Sequence, residues 1–88
     1  MPGYRLELSR QAERILAQMA RREPEAYRRV AQVLDDLERD PFQGRPLKGQ
    51  LAGRFSCRVG SYRIVYRIDH RRLLVVVIDI GHRRDVYR

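Results

Sequence analysis

The segment Arg54-Phe55-Ser56-Cys57-Arg58-Val59-Gly60-Ser61-Tyr62-Arg63-Ile64-Val65-Tyr66-Arg67 constrains the fold more than any other part of the chain. Its arms alternate, and Gly60-Ser61 between them is a Gly-first two-residue turn of the kind that favours II′ geometry. Counting outward from that turn sets a register. Val59 lies opposite Tyr62, Arg58 opposite Arg63, Cys57 opposite Ile64, Phe55 opposite Tyr66 and Arg54 opposite Arg67. Phe55, Cys57, Val59, Tyr62, Ile64, Tyr66 and Ile68 then share one face, and Arg54, Ser56, Arg58, Arg63, Val65 and Arg67 the other. Directly opposed like charges destabilise a sheet. Two Arg–Arg pairs on one face therefore point to an anion as their partner, and a phosphate-binding surface is the first expectation.

The rest of the chain predicts what the other face packs against. Residues 4–8 alternate as a short strand, and Ser9 is a candidate N-cap. Ala12, Ile15, Leu16, Met19 and Ala20 then recur as one stripe of a helix ending near Arg22. Pro24 suits the first turn of a second helix, whose stripe is Ala26 (with Tyr27), Val30, Val33, Leu34 and Leu37, and Asp40-Pro41 ends it. Residues 41–53 hold Pro41, Gly44, Pro46, Gly49 and Gly53 and read as a loop. Leu73 to Ile80, apolar on both faces, predicts a central strand stopped by Gly81. The expected architecture is a single α+β domain spanning 1–88. It is a two-layer β-α-α-β-β-β arrangement, with a helical hairpin on one face of an antiparallel four-stranded sheet and a bare, basic opposite face.

Charge agrees with that face. The 88 residues carry a net charge of +8. Residues 1–39 hold eight Arg against seven acids, whereas residues 40–88 hold ten Arg and one Lys against four Asp, so the excess lies in the half that builds the hairpin. An acidic polymer is the expected partner. The lone Cys57 rules out an internal disulfide framework and suits a reducing, cytoplasmic setting. No signal peptide is visible, and the longest apolar run is far short of the ~20 residues that span a bilayer, so no membrane partner is expected. Two His and one Cys without a spaced cluster offer no metal site, and no cofactor motif is present.

These residues resemble the RelE/ParE toxin superfamily, and more closely its RelE-type branch. The resemblance rests on the element order, the Pro-Leu-Lys-Gly loop (Pro46 to Gly49), the Gly-Ser-Tyr-Arg-Ile-Val-Tyr block (Gly60 to Tyr66) and the ending Ile80-Gly81-His82-Arg83-Arg84-Asp85-Val86-Tyr87. It covers nearly the whole chain. It implies a type II toxin that cleaves mRNA, commonly on the ribosome, and is neutralised by a cognate antitoxin with which it forms a hetero-oligomer. It also implies a sheet whose first strand lies beside its last.

RNA cleavage through the 2′-OH requires a base, a stabiliser for the dianionic phosphorane and an acid for the leaving oxygen. Arg suits the middle task, because its planar fork gives two parallel donors to phosphate and stays charged. Arg58, Arg63 and Arg83 match basic active-site positions of RelE-type toxins, and Tyr87 matches the family's candidate general base. Neighbouring guanidinium groups favour its phenolate over the ordinary value of about 10. His82, as an imidazole able to give or take a proton, is a further catalytic candidate. Arg45, Lys48, Arg54, Ser56, Arg67 and Arg84 are expected to hold flanking RNA or rRNA. Many RelE-type toxins have a base where this chain has Ser56. That departure keeps a second function open, ParE-like non-enzymatic inhibition of DNA gyrase.

Overall fold

The computed structural model describes residues 3–82. The expected site residues Arg83, Arg84 and Tyr87 lie outside the described residues. β1 (Arg5–Leu8) leads directly into α1 (Arg10–Arg22). Ser9 joins them. Its Oγ accepts from the Ala12 amide at 3.0 Å and donates to the Ile78 carbonyl at 2.6 Å, so one hydroxyl caps the helix and ties it to the last strand. α2 (Pro24–Arg39) begins at Pro24, where the missing N–H would have had no helical acceptor, and ends at Asp40 before Pro41. Ala12, Leu16 and Met19 of α1 and Val30, Leu34 and Leu37 of α2 are buried against the sheet. Ala20, expected on the first stripe, is exposed.

Among the described residues five strands form the sheet, in the order β1-β5-β4-β3-β2. β3 (Arg54–Val59) and β4 (Tyr62–Asp69) pair in the register that the turn dictates, with Ser56 opposite Val65 at the centre. Gly60 has a φ of 60°, the left-handed value that a Gly-first II′ turn demands. The fifth strand is β2, only Arg45–Pro46, within the expected loop. Arg45 lies opposite Ser56 and Pro46 opposite Phe55. A proline is tolerated there because the strand is at the edge and needs no donor on its outer side.

The sheet is mixed, not wholly antiparallel. β1 runs parallel to β5 (Leu74–His82), with Leu6 beside Val75 and Leu8 beside Val77. Alternation encodes which face a residue takes but not strand direction, and the long helical connection allows either. β5 also runs through Gly81, which pairs with Arg63, to His82.

A bulge sets the faces of β5. Val65 pairs with Asp79 but Tyr66 pairs with Val77, leaving Ile78 as an extra residue. Strict alternation from Val75 and Val77 would send Asp79 into the helical core. The inserted residue places Ile80 there instead, fully buried. Asp79 is half-buried and accepts a hydrogen bond from Gln11 Nε2 at 2.9 Å, and burial pushes its carboxyl pKa up.

Tyr66 ties the loop to this sheet. Its ring is fully buried, and its hydroxyl donates to the Pro41 carbonyl at 2.7 Å and accepts from the Gly44 amide at 3.1 Å. The 3-10 turn Pro41–Gln43 and the start of β2 are thereby held in place. Burial also pushes the Tyr66 phenol up, so the donor stays protonated. A Cβ on Gly44 would sit 2.4 Å from that hydroxyl and 3.0 Å from the Ser56 carbonyl. Gly44→Ala is therefore expected to destabilise the fold by about 1–3 kcal/mol in urea unfolding. An unchanged midpoint would show that the loop is not fixed by this contact.

Candidate nucleic-acid interface

The register places the basic residues in three rungs across the open face. The outer rung pairs Arg54 with Arg67, the middle rung runs Arg45–Ser56–Val65–Asp79, and the inner rung pairs Arg58 with Arg63 and Gly81. Opposed side chains on one face start about 4.5–5.5 Å apart, and successive rungs are spaced by roughly 6–7 Å. Two cationic rungs thus bracket a nearly neutral centre. That centre is not bare. Ser56 is 9 % exposed and Val65 only 4 %. Each is flanked two residues away along its strand by arginines, whose aliphatic stems are suited to cover it while their guanidinium groups stay in water.

The rungs open into a groove of about 750 Å³ between β3 and the loop that follows α2. Arg45, Lys48, Ser56, Arg58 and Arg63 all line it, and Val33, Leu47, Leu51 and Cys57 supply its apolar wall. Five residues expected to meet RNA therefore converge here. Arg54 and Arg67 are exposed on the outer rung and do not line the groove. Gln43, Gly44, Leu47 and Leu51 also line it, a contribution not expected from the sequence. The available signal was Arg45-Pro46, because the residue before a proline is driven to extended geometry.

The described lining of the groove holds Arg45, Lys48, Arg58 and Arg63 and no carboxylate. Among the described residues the side-chain ion pairs are Asp36–Arg39 at 3.5 Å and Asp69–Arg72 at 3.9 Å, both away from the groove. Arg58 is exposed and Arg63 half-buried. Burial pushes the Cys57 thiol up, so it remains protonated and is no nucleophile near neutral pH. Among the described residues no three His, Cys, Asp or Glu side chains gather as metal ligands would. Among the described residues no helix is long and apolar enough to cross a membrane.

His82 stands apart from these arginines. It pairs with Tyr62, whose ring it meets edge-on at 5.9 Å, beside a second cavity of about 360 Å³ that Glu23 and Arg29 also line. Tyr62 belongs to the helical face, opposite the face of Arg58 and Arg63. Its hydroxyl donates to the Glu23 carboxylate, and this bond, reinforced by burial, pushes its pKa up to about 12. A folded-state pKa raised above the unfolded one stabilises the protein below the unfolded value, about 10, and that contribution disappears as pH rises through about 12. Ultraviolet titration of phenolate should therefore show Tyr62 ionising late. Glu23→Gln should return it toward the ordinary tyrosine value, and no change in that variant would contradict the assignment.

Known toxins share this sheet and its helical layer. Residues 6–87 match the family model described as the ParE toxin of the type II toxin-antitoxin system, parDE. Toxin RelG of Mycobacterium tuberculosis is 50% identical over 54 residues, covering 60% of this chain and 62% of RelG. Toxin RelE of the same organism is 40% identical over 57 residues, covering 64% of this chain and 59% of RelE. Both alignments span less than two thirds of those relatives. Among solved structures, a chain of the RelBE2 toxin-antitoxin complex from M. tuberculosis superposes with a TM-score of 0.81 at 36% identity, over 92% of this chain and 99% of that one. A mutant of E. coli toxin RelE in the free state shares the fold, with a TM-score of 0.78 at 18% identity over 97% of this chain and 88% of that one. With residues 6–87 matching the family model and the basic hairpin set on a RelE-like sheet, the chain belongs to the ParE toxin family of type II toxin-antitoxin systems, within the RelE/ParE superfamily.

Proposed function

We propose that this toxin is a metal-independent endoribonuclease that cleaves mRNA on the ribosome. The observation that carries the reading is the Arg58–Arg63 rung at the groove, joined there by Arg45 and Lys48. In the proposed reaction the 2′-oxygen attacks the adjacent phosphorus and the bond to the 5′-oxygen breaks. The products are a 2′,3′-cyclic phosphate and a 5′-hydroxyl. Two negative charges gather on the non-bridging oxygens in between. Arg58, Arg63 and Arg83 hold those oxygens, because paired guanidinium forks match the phosphorane and gain most as its charge grows. Tyr87 takes the 2′-OH proton, guanidinium groups of the site favouring its phenolate, and a solvent water protonates the departing 5′-oxygen.

His82 is set beside Tyr62, away from the rung, and we assign the proton abstraction to Tyr87 because the resemblance implies it. Arg45, Lys48, Arg54 and Arg67 contact flanking mRNA or rRNA phosphates. Ser56, largely buried between the two cationic rungs, contributes shape more than contact. The partner that silences the toxin is a cognate antitoxin protein, whose acidic or amphipathic segment would order on the basic groove. Relatives named RelG and RelE support the nuclease reading, while the ParE name of the matching family model keeps gyrase as the counter-test.

Induced expression without the neighbouring gene, with mRNA 5′ ends mapped, should give growth arrest and cuts within translated frames. Arg58→Ala, Arg83→Ala and Tyr87→Phe should each lower cleavage by roughly 10²–10³-fold while the fold persists. Full cleavage by all three would refute the site. Arrest with intact mRNA and blocked supercoiling by purified gyrase would instead establish the ParE-like activity.

A further inference from the structure

We propose that Phe42 and His70 form a stacking platform for an unpaired nucleobase of RNA, separate from the groove. The inference rests on the RNA-binding reading and extends it to a second subsite. The two rings lie 5.7 Å apart and within 15° of parallel. Phe42 is 55 % exposed and His70 is exposed, so the pair keeps ring surface in solvent for a third plane.

Phe42 is not a loose surface phenylalanine. Its amide donates to Asp40 Oδ1 at 3.1 Å, Gln43 Nε2 donates to the Asp40 carbonyl at 3.0 Å, and the Pro41 carbonyl is held by Tyr66. Phe55 backs the ring edge-on at 6.4 Å, and Phe55 itself stacks on buried Tyr66 at 5.5 Å. Four rings thus run from the core to the surface. His70 sits in an equally fixed turn, where Asp69 Oδ1 accepts from the Arg71 and Arg72 amides at 3.1 and 3.2 Å. Rigid, partly exposed aromatic faces of this kind attract flat π-systems with little ordering cost.

Charge selects the ligand. Arg71 and Arg72 follow His70, and the Arg54–Arg67 rung is the neighbour of the Phe55–Tyr66 pair at the same end of the sheet. Asp69 offsets part of this charge through Arg72, and Asp40 is occupied by the turn. Ring planes beside several exposed guanidinium groups fit a base and its phosphates. Neither of the two cavities described above includes Phe42 or His70, so the platform is distinct from both.

The test uses the purified full chain and a 2′-O-methyl RNA octamer carrying 2-aminopurine, which cannot be cleaved through its 2′ position. Binding should quench the fluorescence. Phe42→Leu, which keeps the apolar contact to Phe55, should abolish quenching and weaken binding by about 5- to 100-fold without changing the slope of affinity against salt. Phe42→Trp should restore both. Arg54→Gln with Arg67→Gln should instead flatten the salt slope. Wild-type quenching and affinity in Phe42→Leu would overturn the platform. So would a Phe42→Leu defect confined to antitoxin binding, which would make the surface a protein-docking site. Intact quenching in a protein that cuts no mRNA would remove the nuclease reading but leave the platform standing.

Discussion

The two-residue turn at Gly60-Ser61 is the constraint on which the rest depends. Its positive φ selects a tight hairpin, and a tight hairpin admits one register. A slip of β4 by one residue would turn Ile64 and Tyr66 outward and bury Arg63 and Arg67. The core and the basic face are therefore one decision taken at the turn. Helix burial over Val59, Ile64 and Tyr66 fixes it, and the opposed arginines follow as a consequence. Their mutual repulsion is small against the apolar surface buried behind them, which is why the fold can carry it.

The groove needs a second wall, and Tyr66 provides it indirectly. One buried hydroxyl satisfies both a carbonyl and an amide of the loop, and the absence of a side chain at Gly44 allows that approach. Arg45 and Lys48 are thereby brought to the same groove as Arg58 and Arg63. The loop that bears positive charge is thus positioned by the aromatic core, and the same ring series presents Phe42 at the surface. Packing and binding share these residues, so changes at Tyr66 or Gly44 act on both.

Much of this was legible in the residues. The hairpin pairs, the cap at Ser9, the break before Pro24 and the end at Asp40 follow from turn chemistry, capping and proline geometry, all local effects. The misses were non-local. The parallel pairing of β1 with β5 depends on direction, which alternation does not encode. Two-residue β2 was hidden by prolines and glycines that signal a loop, and the bulge at Ile78 shows only when Asp79 must leave the core. At the site, Arg58 and Arg63 face each other as the register implied, whereas the shared groove that brings Arg45 and Lys48 beside them depends on the loop's path. The burial of Ser56 and Val65 and the turning of His82 toward Tyr62 needed neighbouring strands to be seen. The Phe42–His70 stack joins residues from two turns with no shared motif.

The central claim is that the opposed arginines are kept for an anion and not for the fold. The most direct measurement is the unfolding free energy of Arg58→Gln against the wild-type chain at low ionic strength. Relief of like-charge repulsion should make the variant equally stable or more stable by roughly 0.2–1 kcal/mol, with the gain fading as salt is added. A clear loss of stability, insensitive to salt, would show that Arg58 serves the structure and would contradict the account.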